Sequence, residues 1–164
     1  MKADDLTAAK QKAYRLLSMR PHSEKELKKK LREKGFSEKV ISETLNDLRA
    51  LQYLDDNSFA RQSARNFAAN KLWGDKKIVF SLREKGLDKA LIDDALREAR
   101  REISEETAVE RLIKKKTAEK QIDAISHKEK QKIFQSLLGR GFPSGLILRK
   151  LGKVEQGEED RDEG

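Results

Sequence analysis

Cysteine is missing from this chain, aromatic residues fill only 5% of its 164 positions, and no apolar run is long. The first absence excludes disulfides and thiolate metal sites. It suits a reducing cytosol, so a cytoplasmic location is expected. The second, beside a charged fraction of 40%, excludes one large globular core. Small helical units that each bury a narrow stripe and share interfaces remain compatible with such a composition. The third excludes a membrane span, which takes about 18 apolar residues in a row. Met1-Lys2-Ala3-Asp4-Asp5 has no apolar run behind it, so no signal peptide is expected.

Catalytic groups are equally scarce. The two histidines, His22 and His127, flank helix-start serines at matching places, with no carboxylate or further histidine spaced to complete a metal site. Both read as exposed turn residues. The nine glycines are scattered and form no phosphate-binding loop. No cofactor, no metal and no enzymatic activity are expected.

Charge is abundant and unevenly placed. The net charge is +8, yet residues 155–164 hold six acids against Arg161, a net of −5, so the rest of the chain carries +13. A basic body points to a polyanion or an acidic protein surface as partner. The acidic end has no apolar residue, and a disordered tail is expected over 155–164.

One pattern occurs three times. Its anchors are Leu31-Arg32-Glu33-Lys34-Gly35-Phe36, Leu82-Arg83-Glu84-Lys85-Gly86-Leu87 and Leu137-Leu138-Gly139-Arg140-Gly141-Phe142, with the glycines at 35, 86 and 141 lying 51 and 55 positions apart. Eight residues before each glycine stand Leu27, Ile78 and Ile133, and four before stand Leu31, Leu82 and Leu137. One residue after come Phe36, Leu87 and Phe142, six after come Ile41, Ile92 and Ile147, and ten after come Leu45, Leu96 and Leu151. The first two sets share one helical face and the last two share another. The glycine between them fits a left-handed stop just past a helix.

Ser37 and Asp88 cap the helices that follow, while Pro143-Ser144 requires a different start in the third repeat. Ser23 to Glu26 and Ser126 to Glu129 read as capping boxes, and Asp75 starts the matching helix of repeat two. A leading helix precedes each pair: Ala8 to Met19, Ser58 to about Leu72, and one from Glu105 whose end is not defined. The fold expected is all-α. Three tandem three-helix repeats at 8–54, 55–103 and 104–154 form an elongated, curved array, each unit leaning on its neighbours.

Basic residues are the remaining signal. Arg61 and Arg65 lie one helical turn apart, and Lys76 and Lys77 open the next helix after Trp73-Gly74. Lys28, Lys29 and Lys30 hold the corresponding place in repeat one, and Lys130 and Lys132 in repeat three. Stacked repeats would align them along one side, where they attract DNA phosphates or acidic protein. Trp73 reads as a half-buried ring closing its bundle, with a base-stacking platform as the other option. Tyr14, Tyr53, Phe59 and Phe67 are expected in the core.

These residues carry a resemblance. Tyr53-Leu54-Asp55-Asp56, Phe59-Ala60, Arg65, Gly74, Lys77-Ile78, Leu82 and Lys85-Gly86-Leu87 resemble the central signature of the RecX family. Tyr14 to Leu17 with Ser23 to Phe36 resembles that family's first repeat, and Gly139 to Phe142 its last. Asp75 stands where the family often has proline, and Phe67 where a basic residue is common. The resemblance implies a non-enzymatic regulator of the RecA recombinase. Such a protein lies in the groove of the RecA filament on single-stranded DNA, dampening ATP hydrolysis and strand exchange. On that reading Arg61, Arg65, Lys76, Lys77, Lys28, Lys29, Lys130 and Lys132 contact the filament or its DNA, and the protein acts as a monomer. The alternative is a general DNA-binding module of helix-turn-helix-like units. The acids of the third helices (Glu38, Glu43, Asp47, Asp93, Asp94, Glu98) suit a groove poorly.

Overall fold

The structure, a computed structural model, describes residues 4–152. The tail expected at 155–164 lies outside the described residues. Among these there is no strand, and the order is α1 (Leu6–Met19), α2 (Glu24–Glu33), α3 (Glu38–Ala50), α4 (Asp56–Arg65), α5 (Asp75–Glu84), α6 (Lys89–Glu102), α7 (Glu105–Lys116), α8 (His127–Gly139) and α9 (Ser144–Leu151). A π-helical turn, Asn66–Asn70, extends α4, and a 3-10 turn, Ile122–Ala124, lies between α7 and α8. The chain divides into two compact units, Met1–Ala64 with Ser81–Ala95, and Arg65–Phe80 with Leu96–Gly164. The division runs through the second repeat, across α5 and α6.

Each glycine stop is built the same way. Gly35, Gly86 and Gly141 have φ of 87°, 81° and 92°. The glycine N–H donates to Arg32, Arg83 or Leu138, and the next N–H reaches back to Leu31, Leu82 or Leu137. This paired bonding satisfies carbonyls that the ending helix leaves free, and it needs a left-handed residue. Gln52 makes the same turn after α3 without glycine, at φ 61°. Of the fifteen apolar repeat positions, fourteen are buried and Leu96 is half-buried.

In the first unit α1, α2 and α3 enclose Ala9, Ala13, Leu27, Leu31, Ile41, Leu45 and Leu48. Ala9 and Ala13 have no solvent exposure and present almost no side-chain bulk, so α1 approaches its neighbours closely. Asp5 caps α1 through the Ala8 N–H at 2.9 Å. Ser23 and Glu26 form a reciprocal box at the head of α2, and Ser37 caps α3. In the second unit α7, α8 and α9 bury Val109, Leu112, Ile133, Leu137, Ile147 and Leu151. Ser104 and Ser126 cap α7 and α8, whereas α9 starts at Pro143 without a side-chain cap.

Several expectations are corrected. His22 is only 3% exposed, not a surface turn residue. Its Nδ1 lies 2.9 Å from the Arg20 carbonyl and its buried Nε2 has no partner. Tyr14, on α1, and Tyr53, in the link between α3 and α4, are exposed rather than core, and their rings meet edge to face at 5.5 Å. The leading helix of repeat two starts at Asp56, not Ser58, since Asp55 accepts from the Asn57 and Ser58 N–H groups. Asp75, expected to start the matching helix of repeat two, is the first residue of α5. Phe67 is half-buried, outside the core proper.

Candidate functional site

The segment from Arg65 to Lys77 gathers the chemistry of the second unit. After α4 the chain widens into the π turn, and Leu72, at φ 52°, reverses it. Widened turns of this kind are frequent where a helix serves a site. The reversal brings Trp73 onto Phe67, with ring centroids 4.4 Å apart and planes 16° from parallel. The Trp73 N–H donates to the Phe67 carbonyl at 2.9 Å. Lys77 Nζ stands 4.3 Å from the indole centroid, and Lys71 Nζ 5.0 Å from it and 5.4 Å from that of Phe67.

Two arginines hold this turn in place. Arg100, on α6, donates to the Asp75 carboxylate at 2.6 Å, to the Trp73 carbonyl at 2.9 Å and to the Ile103 carbonyl at 3.3 Å. Its side chain is 15% exposed, so these bonds work at reduced dielectric. Arg140, at the α8–α9 turn, donates to the Lys71 carbonyl at 2.7 Å and accepts from the Gly74 N–H at 2.8 Å. Gly74 lies so close to Gly141 that a side chain on it would overlap the Gly141 backbone. Lys71 and Arg100 were not singled out by the sequence, and Arg140 entered only as part of the third glycine anchor. Their roles arise from contacts up to 69 positions apart in the chain. The π turn at 66–70 likewise left no signal in the repeat.

The eight expected contact residues fare unequally. Arg61 is exposed on α4; Arg65, one turn on, is also exposed but paired with Glu102 at 3.0 Å. Lys76 is exposed, and Lys77 is half-buried against Trp73. Lys28 and Lys29 are exposed on α2; Lys132 is exposed on α8, and Lys130 is partly covered there. Lys71 and Lys77 therefore converge on one ring, while Lys130 and Lys132 stand apart from it on α8. Three of the six acids of the third helices pair within the fold: Glu38 with Arg32, Asp47 with Lys10 and Asp93 with Lys89.

Electrostatics elsewhere are structural. Burial pushes the Glu26 carboxyl up, but bonds from Arg20, Lys85 and the Ser23 N–H outweigh it and hold the group at about 2. Burial lowers the His22 pKa below its ordinary value. It raises the carboxyls of Asp56 and Glu105, each of which caps a helix of another element: the Glu24 N–H donates to Asp56 at 2.8 Å, and the Asp75 N–H to Glu105 at 3.2 Å. Among the described residues no three of His, Cys, Asp and Glu gather to hold a metal ion. No helix among them is long and apolar enough to cross a membrane.

Fold and site define a class: tandem three-helix units whose distinctive surface is basic and aromatic, which is the makeup of a binding protein. The chain belongs to the RecX family. The family's first, second and third three-helix domains match residues 9–48, 55–96 and 104–151 in order. The regulatory protein RecX of Prosthecochloris aestuarii is 34% identical over 94% of this chain and 98% of its own length. That of Geobacillus kaustophilus is 30% identical over 98% of this chain. The present chain spans only 60% of that relative's length. The crystal structure of RecX from Lactobacillus salivarius superposes with a TM-score of 0.74 at 27% identity, covering 91% of this chain and 96% of that one. This is a family of regulatory proteins, not an enzyme family.

Proposed function

We propose that this protein binds the RecA filament on single-stranded DNA and restrains it, lowering ATP hydrolysis and strand exchange, as a cytoplasmic monomer without cofactor. The observation that carries the reading is the match of all three RecX domains, in order, to residues 9–151. The repeats at 8–54, 55–103 and 104–154 act as its modules. Each offers lysines on its second helix: Lys28 and Lys29 on α2, Lys76 and Lys77 on α5, Lys130 and Lys132 on α8. Repetition turns individually weak contacts into avidity on a repeating partner.

The central repeat carries the principal contacts in this reading, through Arg61, Arg65, Lys76 and Lys77. Replacing all four with alanine should leave the protein folded: the exposed Arg61, Arg65 and Lys76 cost within about ±0.5 kcal/mol each, and the half-buried Lys77 adds about 0.5–1 kcal/mol for its contact with Trp73. Loss of the exposed Arg65–Glu102 pair adds little. The variant should inhibit RecA-driven ATP hydrolysis and strand exchange much less than wild type, and raised salt should weaken wild type more than the variant. A folded variant that inhibits as well as wild type at every salt concentration refutes this choice of residues. Equal affinity of the wild type for the filament and for the same DNA bare would instead favour a general DNA-binding module.

A further inference from the structure

We propose that Trp73 is a seat for one unpaired base of a single-stranded nucleic acid, bound directly and without RecA, with Lys71 and Lys77 neutralising the phosphates on either side. Phe67 covers one face of the indole at a centroid spacing of 4.4 Å. That spacing leaves no room between the rings, so the Lys77 ammonium, 4.3 Å from the centroid, lies over the remaining face. Neither ring is fully buried. A ring that merely closes a bundle has apolar neighbours on both faces, whereas this one has a lysine ammonium over its second face.

A cation over a π face is a weak, displaceable cover. A nucleobase stacks on the same face, and the displaced ammonium then finds a phosphate within reach of its four-carbon stem. Lys71, Lys76, Lys77 and Arg140 have no ion-pair partner among the described residues, in contrast to Arg65, Arg100, Arg149 and Lys150 of the same unit. Their charge is available to an incoming anion. The backbone beneath the ring is fixed by Arg100 on the Trp73 carbonyl, Arg140 on the Lys71 carbonyl and the Gly74 N–H on Arg140. The platform is therefore set before the ligand arrives, which reduces the ordering that binding requires. Lysines alone would serve an acidic protein equally well. The indole among them selects a partner with π faces and phosphates together. Duplex DNA hides its base faces, so the fit is to a single strand.

Trp73 is the sole tryptophan of the chain, so intrinsic fluorescence reads this site alone. The full chain is titrated, without RecA, with a 20-mer of deoxythymidylate, with a duplex of the same length and with inorganic polyphosphate. The single strand should quench Trp73 emission strongly. Polyphosphate, which can only draw the lysines away, should bind with little quenching, and the duplex should resemble polyphosphate. Trp73→Leu should weaken binding of a labelled 20-mer about tenfold and leave polyphosphate binding unchanged, while Trp73→Phe should retain most of the affinity. Lys71→Gln with Lys77→Gln should weaken both ligands and flatten the salt dependence on the single strand by about 1.4 in log–log slope. Equal quenching by polyphosphate or by duplex overturns the base seat, as does a folded Trp73→Leu protein that holds the 20-mer like wild type. Should Trp73→Leu fail to fold, the three titrations of wild type decide the matter. Because RecA is absent, the outcome is independent of the filament assay above.

Discussion

Replacing each stop glycine by alanine separates backbone conformation from neighbourhood. All three residues are left-handed, with φ between 81° and 92°. An L residue there costs about 1–2 kcal/mol, offset by about 0.4–1 kcal/mol from the reduced freedom of the unfolded chain. At Gly35 nothing lies within 4 Å of an added Cβ, so Gly35→Ala should cost only this difference, about 1 kcal/mol. At Gly86 the new atom would stand 2.6 Å from Cδ and 2.7 Å from Cβ of Lys25. The far end of that lysine can swing away, but its Cβ cannot, and about 1 kcal/mol more is expected. At Gly141 the obstacle is backbone: the Lys77 nitrogen at 2.5 Å, its Cβ at 2.7 Å and its Cα at 3.1 Å. Relief requires the start of α5 to move, which adds about 1–3 kcal/mol and brings Gly141→Ala to about 3 kcal/mol. Urea unfolding followed by circular dichroism at 222 nm measures all three, and Trp73 emission reports the second unit separately. The order should be Gly35, Gly86, Gly141 from mildest to most severe. Three equal losses, or Gly141→Ala as the mildest, would refute the argument from neighbours.

Two further predictions concern protons. The folded Glu26 carboxyl, at about 2, lies below the ordinary 4.5, so its contribution is present above pH 4.5 and is lost as pH falls toward 2. Glu26→Gln should remove about 1–3 kcal/mol at pH 7 and much less near pH 2.5, read from urea midpoints at both pH values; an equal loss at both would show that the charge is irrelevant. His22 is lowered by burial, so the fold gains stability above the ordinary imidazole value of 6.5 and loses it as pH falls below. NMR titration of the ring should give a midpoint under 6.5, and a midpoint at or above it contradicts the burial.

The helical fold was legible because its determinants are local. Glycine stops, caps such as Ser37 and Asp88, whose side chain accepts from the Leu91 N–H at 2.9 Å, and apolar spacing around each glycine all act within a dozen residues. What escaped the sequence depends on remote parts of the chain. His22 sits in a short link between two helices, where an exposed ring is the natural expectation, yet it is buried. Tyr14 has the right residue type for a core, yet α1 buries Ala9 and Ala13 instead, and Tyr53 lies in the exposed link after α3. Lys71, Arg100 and Arg140 look like ordinary solubilising charges until the turn at Trp73 is assembled from α6 and the α8–α9 link.

The repeat itself conceals a further distinction. Gly35, Gly86 and Gly141 occupy one station in the sequence pattern and one region of backbone space, yet they answer to three different constraints. Gly35 needs only a left-handed φ. Gly86 also leaves room for the stem of Lys25, whose neighbour Glu26 takes a hydrogen bond from Lys85 at 3.1 Å. Gly141 lies against Lys77 and Gly74, directly beneath the Trp73 turn. The stop that ends α8 is thereby also the floor of the basic and aromatic site. A sequence repeat records what the stations share, which is the turn. Function can enter where they differ, and here the difference falls at the third glycine, where a lysine backbone, a second glycine and an arginine carbonyl fix the only tryptophan of the chain in a half-exposed position among cations.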